Sequence, residues 1–152
     1  MRREFVKCLM PFLVLFVFFV LVSDCTKKKD QGIEWMTDLQ KALTIAEKQD
    51  KPLMIDFMAT WCPPCKKMED STFSDPRVIE KAGSFVTLRI DVDKQGEIAD
   101  KYNCNASKYG GIGIPNILFM THEEKRLRHI IGYRKPDVLL SEMDSVLSVY
   151  YK

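Results

Sequence analysis

Two cysteines separated by two prolines constrain this chain more than any other feature of its sequence. Cys62 and Cys65 follow Leu53–Ala59, an apolar run that contains a single acid and ends at a turn. A short run of this kind is typical of a strand that is buried on both faces of a sheet. The residues after it predict a helix over 63–70. The cysteine pair is therefore expected where a buried strand leads into a helix.

The remaining chain alternates between helix and strand patterns. Apolar spacing from Trp35 predicts a helix that ends at the DKP sequence at 50–52, with Thr37 and Gln40 at capping-box spacing. Further helices are predicted at 75–83, 97–103 and 137–151, and further strands at 85–93, 116–121 and 127–131. The order α-β-α-β-α-β-β-α predicts an α/β fold in which helices cover both faces of a central mixed four-stranded sheet.

The N-terminus has the composition of an export signal. Two arginines and a lysine precede Leu9–Val22, an apolar run shorter than a membrane-spanning helix normally needs. The LVSDC sequence that follows is similar to a bacterial lipobox and makes Cys25 the candidate lipidation site, although Asp24 lies where a small residue is expected. An uncleaved signal anchor and ordinary secretion are the alternatives. All three place the later residues outside the cytoplasm.

The chain divides into three segments on this interpretation. Residues 1–24 form the signal segment, residues 25–33 a flexible tether, and residues 34–152 a single folded domain. The expected location is the periplasmic side of a bacterial membrane, with a lipid or a helix as the anchor. The net charge is only +2 at pH 7, so we expect no binding to nucleic acid.

The cysteine pair fits redox chemistry better than a metal site. A structural zinc site needs four ligands, and beyond the pair the folded domain offers only Cys104, His122 and His129, which are scattered. We therefore predict no metal and no cofactor. Cys62 falls at the helix N-cap, where free amides and the helix dipole stabilise a thiolate. Cys65, one turn further on, is expected to lie underneath, shielded, and to resolve the mixed disulfide formed by Cys62.

A single acid, Asp56, interrupts the first predicted strand six residues before Cys62. An acid inside an apolar strand is costly unless it has a role or a partner. Burial would raise its pKa, so that it takes and returns the proton of Cys65 near neutral pH. The alternative is an exposed position at the edge of the sheet.

Several motifs in order resemble the thioredoxin superfamily, and more closely its branch that includes the periplasmic C-terminal domain of the disulfide reductase DsbD. They are the WCPPCK core, the acid six residues before it, TFSDPRV after the active-site helix, the IDVD strand and GIGIP. The resemblance covers about residues 33–149. It implies a thioredoxin-like three-layer α/β/α fold.

The resemblance also assigns roles by position. Cys62 matches the attacking cysteine, Cys65 the resolving cysteine and Asp56 the buried proton acceptor. The positions that match substrate-contacting residues are Trp61, Pro63, Pro64, Ile114 and Pro115. The last of these matches a cis-proline, which leaves the backbone before it free to pair with an extended substrate segment.

Two departures from the thioredoxin pattern follow from the same alignment of motifs. The strand position where thioredoxins often carry a lysine that faces the buried acid matches Thr87. The first strand of full thioredoxins is missing or reduced to a few residues near Ile33.

Together these features predict an extracytoplasmic, membrane-tethered thiol:disulfide oxidoreductase that reduces protein disulfides through Cys62 and Cys65. Proline has no N–H, so Pro64 cannot donate to a thiolate at the N-cap, and we expect a reductant or an isomerase partner and not a strong oxidant. The expected partners are protein thiols and disulfides and a membrane electron donor, with the chain as a monomer. The alternatives are a dedicated reductant for cytochrome c maturation and a non-catalytic binding or chaperone module.

Overall fold

The computed structural model of the chain describes residues 32–102 and 113–152. The signal segment, nearly all of the tether, Cys25 and Cys104 lie outside these residues. None of the helices within the described ranges is long and apolar enough to span a membrane.

Four strands form one mixed sheet in the order β2-β1-β3-β4. The strands are β1 (Leu53–Met58), β2 (Val86–Asp91), β3 (Asn116–Met120) and β4 (Arg126–Ile131). β1 runs parallel to β2 and antiparallel to β3, and β3 and β4 form an antiparallel hairpin. β1 is an inner strand with buried residues on both faces, as its apolar sequence predicts.

Five helices within the described residues pack against this sheet. They are α1 (Leu39–Gln49), α2 (Pro63–Ser71), α3 (Pro76–Ala82), α4 (Gly96–Lys101) and α5 (Pro136–Tyr150). The apolar side chains form two core clusters: one contains residues of α1 and α4 together with Cys62 and Cys65, and the other contains further residues of α2 and residues of α3 and α5. The inner strands β1 and β3 contribute residues to both clusters, and neighbouring residues along β3 alternate between them, so the predicted mixed sheet with helices on both faces is confirmed.

The predicted start of the first helix at Trp35 is wrong. Asp38 caps α1, because its side chain accepts a hydrogen bond from the backbone amide of Lys41 at 3.0 Å. Residues 34–36, which we call the strap, instead run beside β2, and Met36 forms a parallel bridge with Leu88. This single bridge lies where the resemblance implies a reduced first strand.

Backbone and side-chain hydrogen bonds attach the strap to β2. The Met36 amide donates to the Thr87 carbonyl at 3.0 Å, and the Arg89 amide donates to the Met36 carbonyl at 2.8 Å. The Thr87 hydroxyl donates to the Glu34 carbonyl at 2.6 Å. The strap therefore covers the outer edge of β2, which protects backbone groups that an edge strand otherwise leaves unpaired.

Candidate active site

The two cysteines of the CPPC sequence form a disulfide at the N-terminus of α2, with their Cα atoms 5.3 Å apart. Cys62 is the N-cap, and its sulfur accepts a hydrogen bond from the backbone amide of Cys65 at 3.2 Å. Pro63 occupies the first helical position. A backbone N–H at this position makes no hydrogen bond within the helix, so proline, which lacks the N–H, is well tolerated there. The sequence thus positions both sulfurs at the positive end of the helix.

The difference in exposure predicted between the two cysteines is not observed. Cys62 is 3% exposed and Cys65 is 7% exposed, and both belong to one core cluster. The N-cap position turns the Cys62 side chain towards the helix, and the disulfide joins its sulfur to that of buried Cys65. Trp61, Pro63 and Pro64 are exposed instead, so they form the surface next to the disulfide.

Asp56 lies in the middle of β1 and is 3% exposed, so the predicted burial is confirmed and the exposed edge position is wrong. Arg89 on β2 is its partner in the strand register, and the Arg89 Nε donates to Asp56 Oδ2 at 3.0 Å. Asp56 Oδ1 is buried without a hydrogen-bond partner among the described residues. Burial outweighs the attraction of Arg89 and raises the pKa of Asp56 to about 6.

The cation that faces the buried acid is therefore Arg89 and not residue 87. The register of β1 and β2 places Met54, not Asp56, opposite Thr87, and the Thr87 hydroxyl is bound by the strap. Arg89 lies on the same face of β2 as Thr87, two residues later. The spacing of two residues does not reveal from sequence which of them pairs with Asp56.

The predicted cis peptide bond is present between Ile114 and Pro115. Asn116 pairs with Phe57, and β3 runs antiparallel to β1, so Pro115 lies at the end of the sheet where β1 leads into the cysteine pair. The Gly132 amide donates to the Pro115 carbonyl at 2.7 Å, which fixes the start of β3 against the end of β4. The structure thus brings Pro115 to the same end of the sheet as the disulfide.

The pattern that defines the thioredoxin-like family matches residues 34–121, which is more than half of the chain. The chain belongs to the thioredoxin-like family. The match includes the strap, both cysteines, Asp56 and Pro115.

Relatives of this thioredoxin-like chain include bacterial and animal proteins. It is 32% identical over 118 residues to the thiol:disulfide interchange protein DsbD of Actinobacillus pleuropneumoniae. This match covers 76% of this chain and 19% of that protein. It is 33% identical over 101 residues to thioredoxin-1 of Drosophila melanogaster, across 66% of this chain and 83% of that protein. The chain therefore spans about a fifth of the length of its DsbD relatives.

Solved structures agree with these sequence relatives. The oxidised C-terminal domain of Neisseria meningitidis DsbD is 27% identical, with a TM-score of 0.55, and the match covers 73% of this chain and 97% of that domain. DsbH oxidoreductase, at 19% identity and a TM-score of 0.62, shares the fold over 84% of this chain and 92% of its own. The chain thus resembles the C-terminal domain of DsbD in sequence and in fold.

Two residues on the surface around the thioredoxin-like site were not predicted from the sequence. Asp93 accepts a hydrogen bond from the indole Nε1 of Trp61 at 2.6 Å, which orients a ring that is 56% exposed. Ile131 pairs with Asn116 beside Pro115 and is 46% exposed. Both residues are distant from the cysteines in sequence; the hydrogen bond to Trp61 reveals the position of Asp93, and the pairing of β3 with β4 reveals that of Ile131.

Both histidines lie in the hairpin formed by β3 and β4. His129 Nε2 lies 2.5 Å from the side-chain oxygen of buried Asn116, and His122 lies in the turn between β3 and β4. Across residues 32–102 and 113–152 there is no group of three or more histidine, cysteine, aspartate or glutamate side chains that could hold a metal ion.

Proposed function

We propose that this protein is a thiol:disulfide oxidoreductase that reduces disulfides of proteins outside the cytoplasm. The observation that carries the proposal is the Cys62–Cys65 disulfide at the N-cap of α2. The helix stabilises the thiolate of Cys62 at this position. Cys65 is close enough to attack the mixed disulfide between Cys62 and the substrate and to release the reduced substrate.

The reaction balances with the cysteines alone. In the reduced protein the Cys62 thiolate attacks a substrate disulfide, a Cys62–substrate disulfide forms, and one substrate sulfur leaves as a thiolate. Cys65 then loses its proton and attacks Cys62, which releases the second substrate sulfur and forms the Cys62–Cys65 disulfide. The substrate gains two electrons, and the dithiol loses two.

Asp56 is the proposed acceptor of the Cys65 proton. Its pKa of about 6 means that the carboxylate form predominates at neutral pH, yet the group is close enough to titration to return the proton. Glu69, four residues after Cys65 and on the same face of α2, is joined to Asp56 through Arg89. These contacts support a position of Asp56 beneath the resolving cysteine.

Trp61, Pro63, Pro64, Ile114 and Pro115 form the proposed substrate surface. Trp61, Pro63 and Pro64 are exposed beside the disulfide, whereas Ile114 and Pro115 are buried at the same end of the sheet, where β3 begins immediately after Pro115. An extended substrate segment that pairs with the Ile114 backbone would bring its disulfide against Cys62.

The proposed setting is the periplasmic side of a bacterial membrane. Residues 1–24 have the pattern of an export signal, and Cys25 is the candidate lipid attachment site. The protein would act as a monomer and receive electrons from a membrane protein, because the dithiol must be reduced again after each cycle. The relation to DsbD, a thiol:disulfide interchange protein, supports this setting.

A redox titration with thiol trapping tests the direction of the reaction. We expect the Cys62–Cys65 couple to have a potential nearer to about −270 mV, the value of thioredoxin, than to about −120 mV, the value of DsbA. The physical reason is that Cys62 accepts one backbone amide hydrogen bond, from Cys65, while Pro64 has no amide hydrogen to donate.

The matched variant for this titration is Pro64→Ala, which restores the missing amide at the second helical position. One added hydrogen bond to a thiolate contributes about 1.5 kcal/mol, so the potential should rise by about 30 mV. A wild-type potential close to that of DsbA contradicts the proposal of a reductant, and a pair that does not cycle at all contradicts the oxidoreductase itself.

A further inference from the structure

We propose that Trp35 and Arg89 are positioning residues for the proton-transfer step: the strap holds the Arg89 guanidinium in place, and that group bridges Asp56 on β1 and Glu69 on α2. The inference rests on the proposed function, in which Asp56 accepts the proton of Cys65. It assigns a role to the strap, which contains no residue of the redox site.

The guanidinium of Arg89 bonds to two acids from different elements. Its Nε donates to Asp56 Oδ2 at 3.0 Å, and one of its terminal nitrogens donates to Glu69 Oε2 at 2.5 Å. Asp56 is buried, whereas Glu69 is half exposed. The forked shape of arginine permits this arrangement, because separate N–H groups point at the two carboxylates.

Trp35 and Phe73 hold this guanidinium from the side. The Arg89 Cζ lies 4.3 Å from the centre of the Trp35 ring and 5.6 Å from that of Phe73. The two rings meet edge to face, with their centroids 5.1 Å apart. Attraction between a cation and the face of an aromatic ring is strongest for tryptophan and increases when the cation is partly removed from water. Arg89 is partly buried, so Trp35 restricts the directions available to it.

The strap also binds the backbone of Arg89. The Arg89 amide donates to the Met36 carbonyl at 2.8 Å, one residue after Trp35. The ring and the backbone of the strap thus contact the same arginine, and the end of the side chain reaches Asp56. A change at Trp35 is therefore transmitted to Asp56 through Arg89, without contact between Trp35 and either cysteine being required.

The charged groups that face Asp56 come from two elements of the described structure. Arg89 on β2 lowers the pKa of Asp56, and Glu69 on α2 raises it, while the partner of Asp56 on β3 is the uncharged Ile117. If Trp35 loses its ring, Arg89 can turn towards solvent and Glu69. Asp56 then keeps its burial and loses its cation, so its pKa rises further. A larger fraction of Asp56 is then already protonated at neutral pH and is not available to accept the proton of Cys65.

The test is a ¹³C-carboxyl NMR titration of Asp56 in the oxidised full chain, where Cys62 and Cys65 do not titrate. We expect Trp35→Leu and Arg89→Gln to move the Asp56 midpoint upward by about one pH unit. Trp35→Phe, which retains an aromatic face, should restore most of the wild-type value. The control is Phe85→Leu, which truncates a buried ring that packs against Phe119, and it should leave the midpoint unchanged.

The pH profile of disulfide reduction gives a second measurement. The midpoint of the rate should move upward with the Asp56 midpoint in Trp35→Leu and return in Trp35→Phe. The inference is overturned if Asp56 in a folded Trp35→Leu protein titrates with the wild-type midpoint. It is also overturned if Phe85→Leu shifts that midpoint as much as Trp35→Leu does. If Trp35→Leu does not fold, Trp35→Met is tested in its place, because it retains volume without an aromatic face.

Different results contradict the proposed function and the positioning role of Trp35. A wild-type protein that reduces no disulfide contradicts the proposed function, and the titration of oxidised Asp56 is still measurable because it needs no turnover. A wild-type protein that reduces disulfides normally, with an Asp56 midpoint that is independent of Trp35, contradicts the positioning role alone.

Discussion

Replacing Cys65 by serine is expected to convert the protein into a covalent trap for its substrate. Cys62 can still attack a disulfide, but no second thiol remains to displace the product, so the mixed disulfide persists. Incubation of reduced Cys65→Ser with a disulfide-containing protein such as insulin should yield a near-stoichiometric covalent complex. The complex is measured on a non-reducing gel and by mass spectrometry, and catalytic turnover should fall to the level without protein.

The matched variant for the trapping experiment is Cys62→Ser, which should form no complex and show no turnover. Cys62 caps α2 and receives the Cys65 amide hydrogen bond, and this position makes it the attacking sulfur. Serine is itself a good N-cap, so the helix should persist in this variant. The control is Cys104→Ser, which should retain full turnover. A complex that forms through Cys65 in Cys62→Ser would reverse the assigned roles.

The elements around the site were predictable because each is encoded locally. The apolar run of β1, the prolines at the starts of α2 and α3, and the polar turn between β3 and β4 are patterns within a few residues. Steric rules then require β1 and β2 to be parallel. Asp56 was predictable as a buried acid for the same reason, since it interrupts an otherwise apolar strand.

The surroundings of Asp56 were not predictable, because they depend on contacts between distant segments. Trp35 matches the helical spacing of α1, but hydrogen bonds between its neighbour Met36 and β2, more than fifty residues later, keep it outside the helix. The choice between Thr87 and Arg89 as the partner of the acid depends on the register between β1 and β2, which the sequence of β2 alone does not specify.

The burial of Cys62 shows a similar limit. The position of a residue on a helix predicts the face to which it points, and an N-cap residue lies half outside the helix. Sequence alone therefore favoured an exposed Cys62. In the disulfide-bonded state its side chain turns inward and both sulfurs are buried, so access to the pair depends on the exposed residues around it.

Replacing Asp56 by asparagine is expected to slow resolution of the mixed disulfide and to change the pH dependence of stability. Asparagine keeps the shape of the side chain but cannot accept the Cys65 proton. Loss of a general base typically costs about 10² to 10⁴ in rate. The rate at which the Cys62–substrate disulfide is resolved at pH 7, measured by rapid mixing and acid quench, should fall within this range.

The stability effect has a defined sign. The pKa of Asp56 is raised from 3.8 to about 6 in the folded protein, so between these values the native state binds more protons than the unfolded chain. The contribution of Asp56 to the free energy of unfolding should therefore fall by about 3 kcal/mol as the pH rises from below about 4 to above 6. Asp56→Asn lacks this titration, so its unfolding free energy should not show that fall.

Urea unfolding of both oxidised proteins at pH 4 and pH 8 measures this difference. The control is Asp70→Asn, which removes an exposed acid from α2 whose partner is Lys66, and it should follow the wild type at both values. If Asp56→Asn shows the same fall in stability as the wild type, the buried acid is not the group that titrates. If resolution is also unimpaired, Cys65 transfers its proton to solvent, and the burial of Asp56 has no part in the redox step.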